Sequence, residues 1–144
     1  MAQTALVIDD SRTHRSLIKV LLLLMAGREW SILEAADGQE GLRLARGAAV
    51  DVIITDFHMP GMDGLAFVRA LREDGNPRVR EVPIVVLTAE GAADLPSKVR
   101  ASGADAFVRK PVVKDELHAA VAALVPPPST PPQTPPPRSA PRSR

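Results

Sequence analysis

The residues able to do chemistry stand at the ends of strand-like runs. Asp9 and Asp10 follow residues 4–8, Asp56 follows 50–55, Thr88 ends 82–88, and Lys110, with Pro111 after it, follows 105–109. If the first and third runs are neighbouring strands, Asp9, Asp10 and Asp56 face one crevice. Like charges at such separations repel by several kcal/mol at moderate dielectric. A shared proton, a metal or a cation must compensate. An all-oxygen set favours a hard cation, and a small site that keeps several waters suits Mg²⁺. Lys110 is available as a cation, and Thr88 as a hydroxyl donor. Each residue alone has an ordinary explanation: an aspartate caps a helix, a threonine belongs in a strand, a lysine is solvated. Caps alone do not account for a Lys-Pro at the same sheet edge.

These residues need a scaffold that brings strand ends together. The runs 4–8, 31–35, 50–55, 82–88 and 105–109 read as strands. All are short, and the run leading to Asp56 is β-branched, as a buried parallel strand is. Between them lie helical stretches at about 12–26, 39–46 and 64–73, an irregular stretch ending at Gly103, and a last helix at about 113–124. Ser11 and Asp63 are placed as N-caps, and glycine follows the helical stretches at 27, 47, 75 and 103. In the first helix Leu17, Val20, Leu21, Leu24 and Met25 are the expected apolar stripe. Strict alternation predicts an α/β domain, a (βα)5 doubly wound, five-stranded parallel sheet with helices on both faces. Its sites lie outside the carboxyl ends of the strands.

Composition narrows the class. The 144 residues are 45% hydrophobic and 24% charged, as in a globular protein. The net charge is +1, but Arg138, Arg142 and Arg144 sit in a tail without acids, leaving 15 of the 18 basic residues against 17 acidic ones in the body, near −2. No nucleic acid partner is expected from such a surface. The absence of cysteine excludes disulfides, thiolate metal sites and Cys nucleophiles. The longest apolar run, 20–26, is far short of the roughly 20 residues of a membrane span. No charged n-region opens the chain, so a cytoplasmic protein is expected. From Pro126 the chain reads PPPSTPPQTPPPRSAPRSR, which lacks residues for a core. The expected division is a domain at 1–125 and a Pro-rich, basic, disordered tail at 126–144.

Taken together, the motifs resemble the receiver domain of the two-component response regulators, and are similar to the single-domain chemotaxis type. Val7-Ile8-Asp9-Asp10-Ser11 resembles the family's acidic pair, and the stretch from Thr55 to Gly64 its phosphoacceptor segment. Leu87-Thr88-Ala89 and Lys110-Pro111 resemble its switch threonine and its lysine. The resemblance spans 4–124. It implies a flavodoxin-like sheet of order 2-1-3-4-5 and a regulatory phosphoacceptor, not an enzyme, that assists its own phosphorylation and dephosphorylation. Asp56 would accept a phosphoryl group from a phosphohistidine on a sensor histidine kinase or a histidine phosphotransfer protein. Asp9, Asp10, Asp56 and the His58 backbone carbonyl would hold Mg²⁺, Asp9 largely through a water. Lys110 would pair with the phosphate, and Thr88 would swing onto it, letting Phe107 turn inward. Pro111 would follow a cis bond. His58 and Glu90 would tune the lifetime of the acyl phosphate.

An unknown output protein would read the signal, with the chain a monomer or a weak phosphorylation-dependent dimer. Rival readings are an unphosphorylated scaffold of the same fold and a Mg²⁺ phosphohydrolase with an aspartyl nucleophile. The second wants an Asp-x-Asp, which Asp56-Phe57-His58 lacks. A dinucleotide site wants a glycine-rich turn after strand one, also missing. Asp94-Leu95-Pro96 predicts that the helix before strand five starts late, at about 95, and runs to about 102 behind a loose loop at 90–94. That loop would leave the output face mobile until phosphorylation.

Overall fold

A computed structural model describes residues 2–59, 61–89, 97 and 101–127. The expectations for Glu90, for the late helix at Asp94–Pro96 and for the tail from 128 onward lie outside the described residues.

Five strands form one parallel sheet: β1 (Gln3–Ile8), β2 (Trp30–Ala35), β3 (Val52–Asp56), β4 (Ile84–Thr88) and β5 (Ala106–Arg109), in the order β2-β1-β3-β4-β5. This is the expected flavodoxin-like order. All residues of β3 and β4 are buried, because helices cover both faces. Alternate side chains serve two cores. Leu6, Ile8, Ile53, Ile84 and Val86 pack on one face with residues of α2 (Gly38–Gly47) and α3 (Gly64–Arg72). Ala5, Val7, Val52, Ile54, Val85 and Leu87 pack on the other with residues of α1 (Arg12–Leu23) and α5 (Lys114–Leu124).

Caps set where the helices begin. The Ser11 hydroxyl accepts from the His14 N–H at 3.2 Å, and Asp63 accepts from the Ala66 N–H at 2.8 Å. Asp37 caps α2 by accepting from the Glu40 N–H, and Glu40 in turn accepts from the Ala36 N–H at 3.0 Å. This is close to a capping box. α3 buries Gly64, Phe67, Val68 and Leu71, the i, i+3, i+4, i+7 stripe of an amphipathic helix.

Two local readings need correction. In α1 the buried residues are Ile18 and Leu22, with Met25 just beyond the helix. Leu17, Val20 and Leu24, expected in the core, are 44%, 52% and 57% exposed, and Leu21 is half-buried. The second half of α1, residues 17–23, is apolar except for Lys19, so spacing alone left two adjacent stripes to choose between. The chosen face is fixed at the N-terminus, where Arg15 donates to the Asp9 carbonyl at 2.6 Å, and further along by His118 of α5 hydrogen-bonded to the Leu21 carbonyl at 2.6 Å. The second correction is a short helix, α4 (Pro77–Arg80), where a plain stop was expected. Asn76 caps it through the Arg78 N–H at 3.0 Å, and Pro77 sits where its missing N–H costs nothing.

Candidate functional site

The strand register assembles the site. Ile8 pairs with Thr55, so the next residues, Asp9 and Asp56, end adjacent strands side by side. Asp56 pairs with Leu87, which places Thr88 one step further along β4, and Thr88 pairs with Arg109, which places Lys110 one step beyond. The ladder continues past β3 and β5: the Phe57 N–H donates to the Leu87 carbonyl and the Lys110 N–H to the Thr88 carbonyl, each at 2.8 Å. Residues far apart in sequence are thereby held at one edge by main-chain bonds rather than by flexible loops.

Asp9, Asp10 and Asp56 each bring a carboxylate oxygen within 4.8 Å of the others. Asp9 is 2% and Asp56 5% exposed, while Asp10 faces solvent. Side-chain partners hold two of these carboxylates. Lys110 Nζ lies 2.7 Å from Asp56 Oδ1. His14 Nδ1 meets Asp9 Oδ2, and Asp9 Oδ1 accepts from the Ser11 N–H at 2.8 Å. Thr88 is fully buried at the end of β4, and the Lys110–Pro111 bond is cis. Phe107 is half-buried, packed against the core shared with α3. The His58 side chain is exposed, its ring edge-on to Phe57 with centroids 4.6 Å apart.

Gly64 sets how closely the loop after β3 folds back. Its N–H donates to the Phe57 carbonyl at 2.8 Å. A Cβ at this position would lie 2.5 Å from the Asp56 carbonyl oxygen and 3.0 Å from Phe57 Cα. Only glycine lets α3 start this near the end of β3.

The electrostatics extend to β2. Arg15 Nε donates to Glu34 at 3.2 Å and Lys19 to the same carboxylate at 3.3 Å. The Arg15 hydrogen bond holds the Glu34 carboxyl below the usual glutamate range, against a smaller opposing effect of burial. Arg15 therefore bridges the Asp9 carbonyl and β2. The sequence reading brought Asp9, Asp10, Asp56, Thr88 and Lys110 to one edge, and the structure does the same. It did not find His14 or Arg15. The available signal was spacing: a helix capped at Ser11 carries its third and fourth residues back over the strand end at Asp9.

An all-oxygen, three-carboxylate cluster fits a hard divalent cation that retains water. The family model for the response regulator receiver domain matches residues 5–122. The chain belongs to this family. Receiver domains are regulatory, and they bind Mg²⁺ at their acidic pocket. Chemotaxis protein CheY1 of Helicobacter pylori is 36% identical over 122 residues, 81% of this chain and 94% of the relative. The chain is also similar to the structure of the chemotaxis response regulator CheY4 of Vibrio cholerae, with a TM-score of 0.75 and 33% identity over 87% of this chain and all of that one. A third similar structure is the receiver domain of the Pseudomonas aeruginosa sensor histidine kinase PA1611, with a magnesium ion coordinated in its active-site cleft. Its TM-score is 0.75 and its identity 25%, covering 86% of this chain and 98% of that one. Among the described residues no helix is long and apolar enough to cross a membrane.

Proposed function

We propose that this receiver domain is a phosphorylation-dependent signalling switch whose phosphoacceptor is Asp56. The observation that carries the reading is the convergence of Asp9, Asp10 and Asp56 within 4.8 Å, with Lys110 Nζ on Asp56 Oδ1. A carboxylate oxygen of Asp56 attacks the phosphorus of a phosphohistidine on a kinase or phosphotransfer protein. The P–O bond forms as the P–N bond breaks, and the imidazole leaves with the electron pair and takes a proton from water. Phosphoryl transfer asks a protein for little beyond positioning and charge neutralisation.

The residues divide that work. Asp10 and Asp56, with the His58 carbonyl, would hold Mg²⁺, and Asp9 would support it from beside them. When bound, the cation neutralises the non-bridging oxygens of the transferring group. Lys110 is placed to follow its present partner, moving from the carboxylate to the phosphate that forms on it. Thr88 at the end of β4 turns its hydroxyl to the phosphate, and Phe107, which pairs with Val86 two residues back on β4, moves inward. Phe has no hydroxyl, so the inward rotamer leaves no polar group unsatisfied. His58, two residues past the acceptor in sequence, and Glu90, two past Thr88, set the acyl phosphate lifetime. α1 starts at the rim of the site and, with its C-cap Leu24, turns Leu17, Val20 and Leu23 to solvent, an apolar surface against which the phosphohistidine donor can rest.

In this reading the protein is cytoplasmic and the domain ends near Val125. Output passes through protein contacts or onward phosphotransfer, with the chain a monomer or a weak phosphorylation-dependent dimer. The test is incubation with acetyl phosphate and Mg²⁺, read by intact mass. One added phosphoryl group in the wild type, absent without Mg²⁺ and absent in Asp56→Asn, is expected. Equal phosphorylation of Asp56→Asn would remove the acceptor assignment.

A further inference from the structure

We infer that His14 is a positioning residue for the metal site, acting through Asp9. This rests on the Mg²⁺ reading above and adds to it a residue outside the acidic cluster.

The Asp9 carboxylate is gripped at both oxygens, by the Ser11 N–H on Oδ1 and by the His14 ring on Oδ2. Its main-chain carbonyl is held by Arg15. All three partners come from the N-terminal cap and first turn of α1, so the start of that helix sets the direction of the carboxylate. A carboxylate only accepts, so the ring nitrogen facing it, Nδ1, carries the proton. The ligand atoms that converge are those of Asp9, Asp10 and Asp56, and His14 reaches them through Asp9. Asp9 is buried and His14 partly so, with side-chain exposures of 3% and 19%. The contact is therefore not a surface encounter.

The hydrogen bond does not exhaust Asp9. Each carboxylate oxygen offers two lone-pair directions, so one donor per oxygen leaves room for a coordinated water. Mg²⁺ demands near-octahedral geometry, so a carboxylate already fixed in one rotamer loses less freedom on binding. Partners that orient metal-ligating groups in this way typically change affinity by about 10–100-fold when removed.

The discriminating variants are His14→Leu, which fills the space without a donor, and His14→Asn, whose amide nitrogen replaces Nδ1. Mg²⁺ binding is measured by calorimetry on the full chain, with urea unfolding as a check on the fold. His14→Leu should weaken binding roughly 10-fold, and His14→Asn should remain within about 3-fold of wild type. With acetyl phosphate, the Mg²⁺ concentration for half-maximal phosphorylation should rise in His14→Leu while the rate at saturating Mg²⁺ stays near wild type. A purely structural role would not give that split. Unchanged or tighter Mg²⁺ binding in His14→Leu would overturn the inference, as would equal losses in the two variants. A wild type that does not bind Mg²⁺ would overturn both this inference and the reading beneath it.

Discussion

Replacing Gly64 by alanine separates the geometry of the acceptor from the general stability of the fold. The added Cβ would meet the Asp56 carbonyl oxygen at 2.5 Å and Phe57 Cα at 3.0 Å, where ordinary contact starts near 3.4 Å. Both obstacles are main chain, so no side chain can swing away. Relief needs a shift of about 1 Å, shared between the first turn of α3 and the end of β3, which carries the Asp56 carboxylate. Overpacking of this kind costs about 1–3 kcal/mol. Misplacement of a reacting group by about 1 Å can cost on the order of 100-fold in rate. We expect Gly64→Ala to lower urea stability by roughly 1–3 kcal/mol and to slow phosphorylation by acetyl phosphate more than 10-fold. The control is Gly75→Ala, where a Cβ meets nothing within 4 Å. It should be neutral to slightly stabilising, with an unchanged rate. If both variants phosphorylate at the wild-type rate, the close approach of α3 to β3 does not position the acceptor, and that part of the account fails.

Other outcomes follow from the same contacts. Breaking a buried ion pair costs about 3–5 kcal/mol, and Lys110 is partly exposed, so Lys110→Met should destabilise the Mg²⁺-free protein by about 1–2 kcal/mol. Saturating Mg²⁺ should restore most of it, and equal losses with and without Mg²⁺ would contradict the role of Lys110 as the charge partner of Asp56. Glu34 gives up its proton more readily in the folded chain, so its contribution to stability is present at neutral pH. That contribution fades as the pH falls below the ordinary glutamate value of about 4.5 and through the lower folded value. Glu34→Gln should flatten this acid limb of the urea stability profile, and an unchanged profile would refute it. A chain ending at Pro127 keeps the Gln3 side chain donating to the Pro126 carbonyl at 2.9 Å. It should unfold at the same midpoint as the full chain, and a markedly lower midpoint would show that the tail docks on the domain.

Much of the fold was legible because its signals are local and redundant. β3 and β4 are short, β-branched and buried throughout, so composition alone marks them. Asp9, Asp56, Thr88 and Lys110 were legible as a site because each ends a strand, and parallel strands in register bring such ends together whatever the loops do. The misreadings have physical causes. α1 carries leucines on adjacent stripes, and only tertiary contacts from Arg15 and His118 decide which stripe is buried. α4 is too short to show a period, and its one local mark is Asn76-Pro77. His14 reads as a helix-surface residue until the cap at Ser11 places it over Asp9. The role of Gly64 is a distance between two main-chain segments, which no local pattern encodes.

The central claim is that the acyl phosphate forms on Asp56 and not on its neighbours. Borohydride reduces an aspartyl phosphate to homoserine, which marks the acceptor in a peptide digest. After treatment with acetyl phosphate and Mg²⁺, the account predicts homoserine at position 56 alone, lost when Mg²⁺ is chelated beforehand. Homoserine at Asp9 or Asp10, or at no position while intact mass shows an added phosphoryl group, would contradict it.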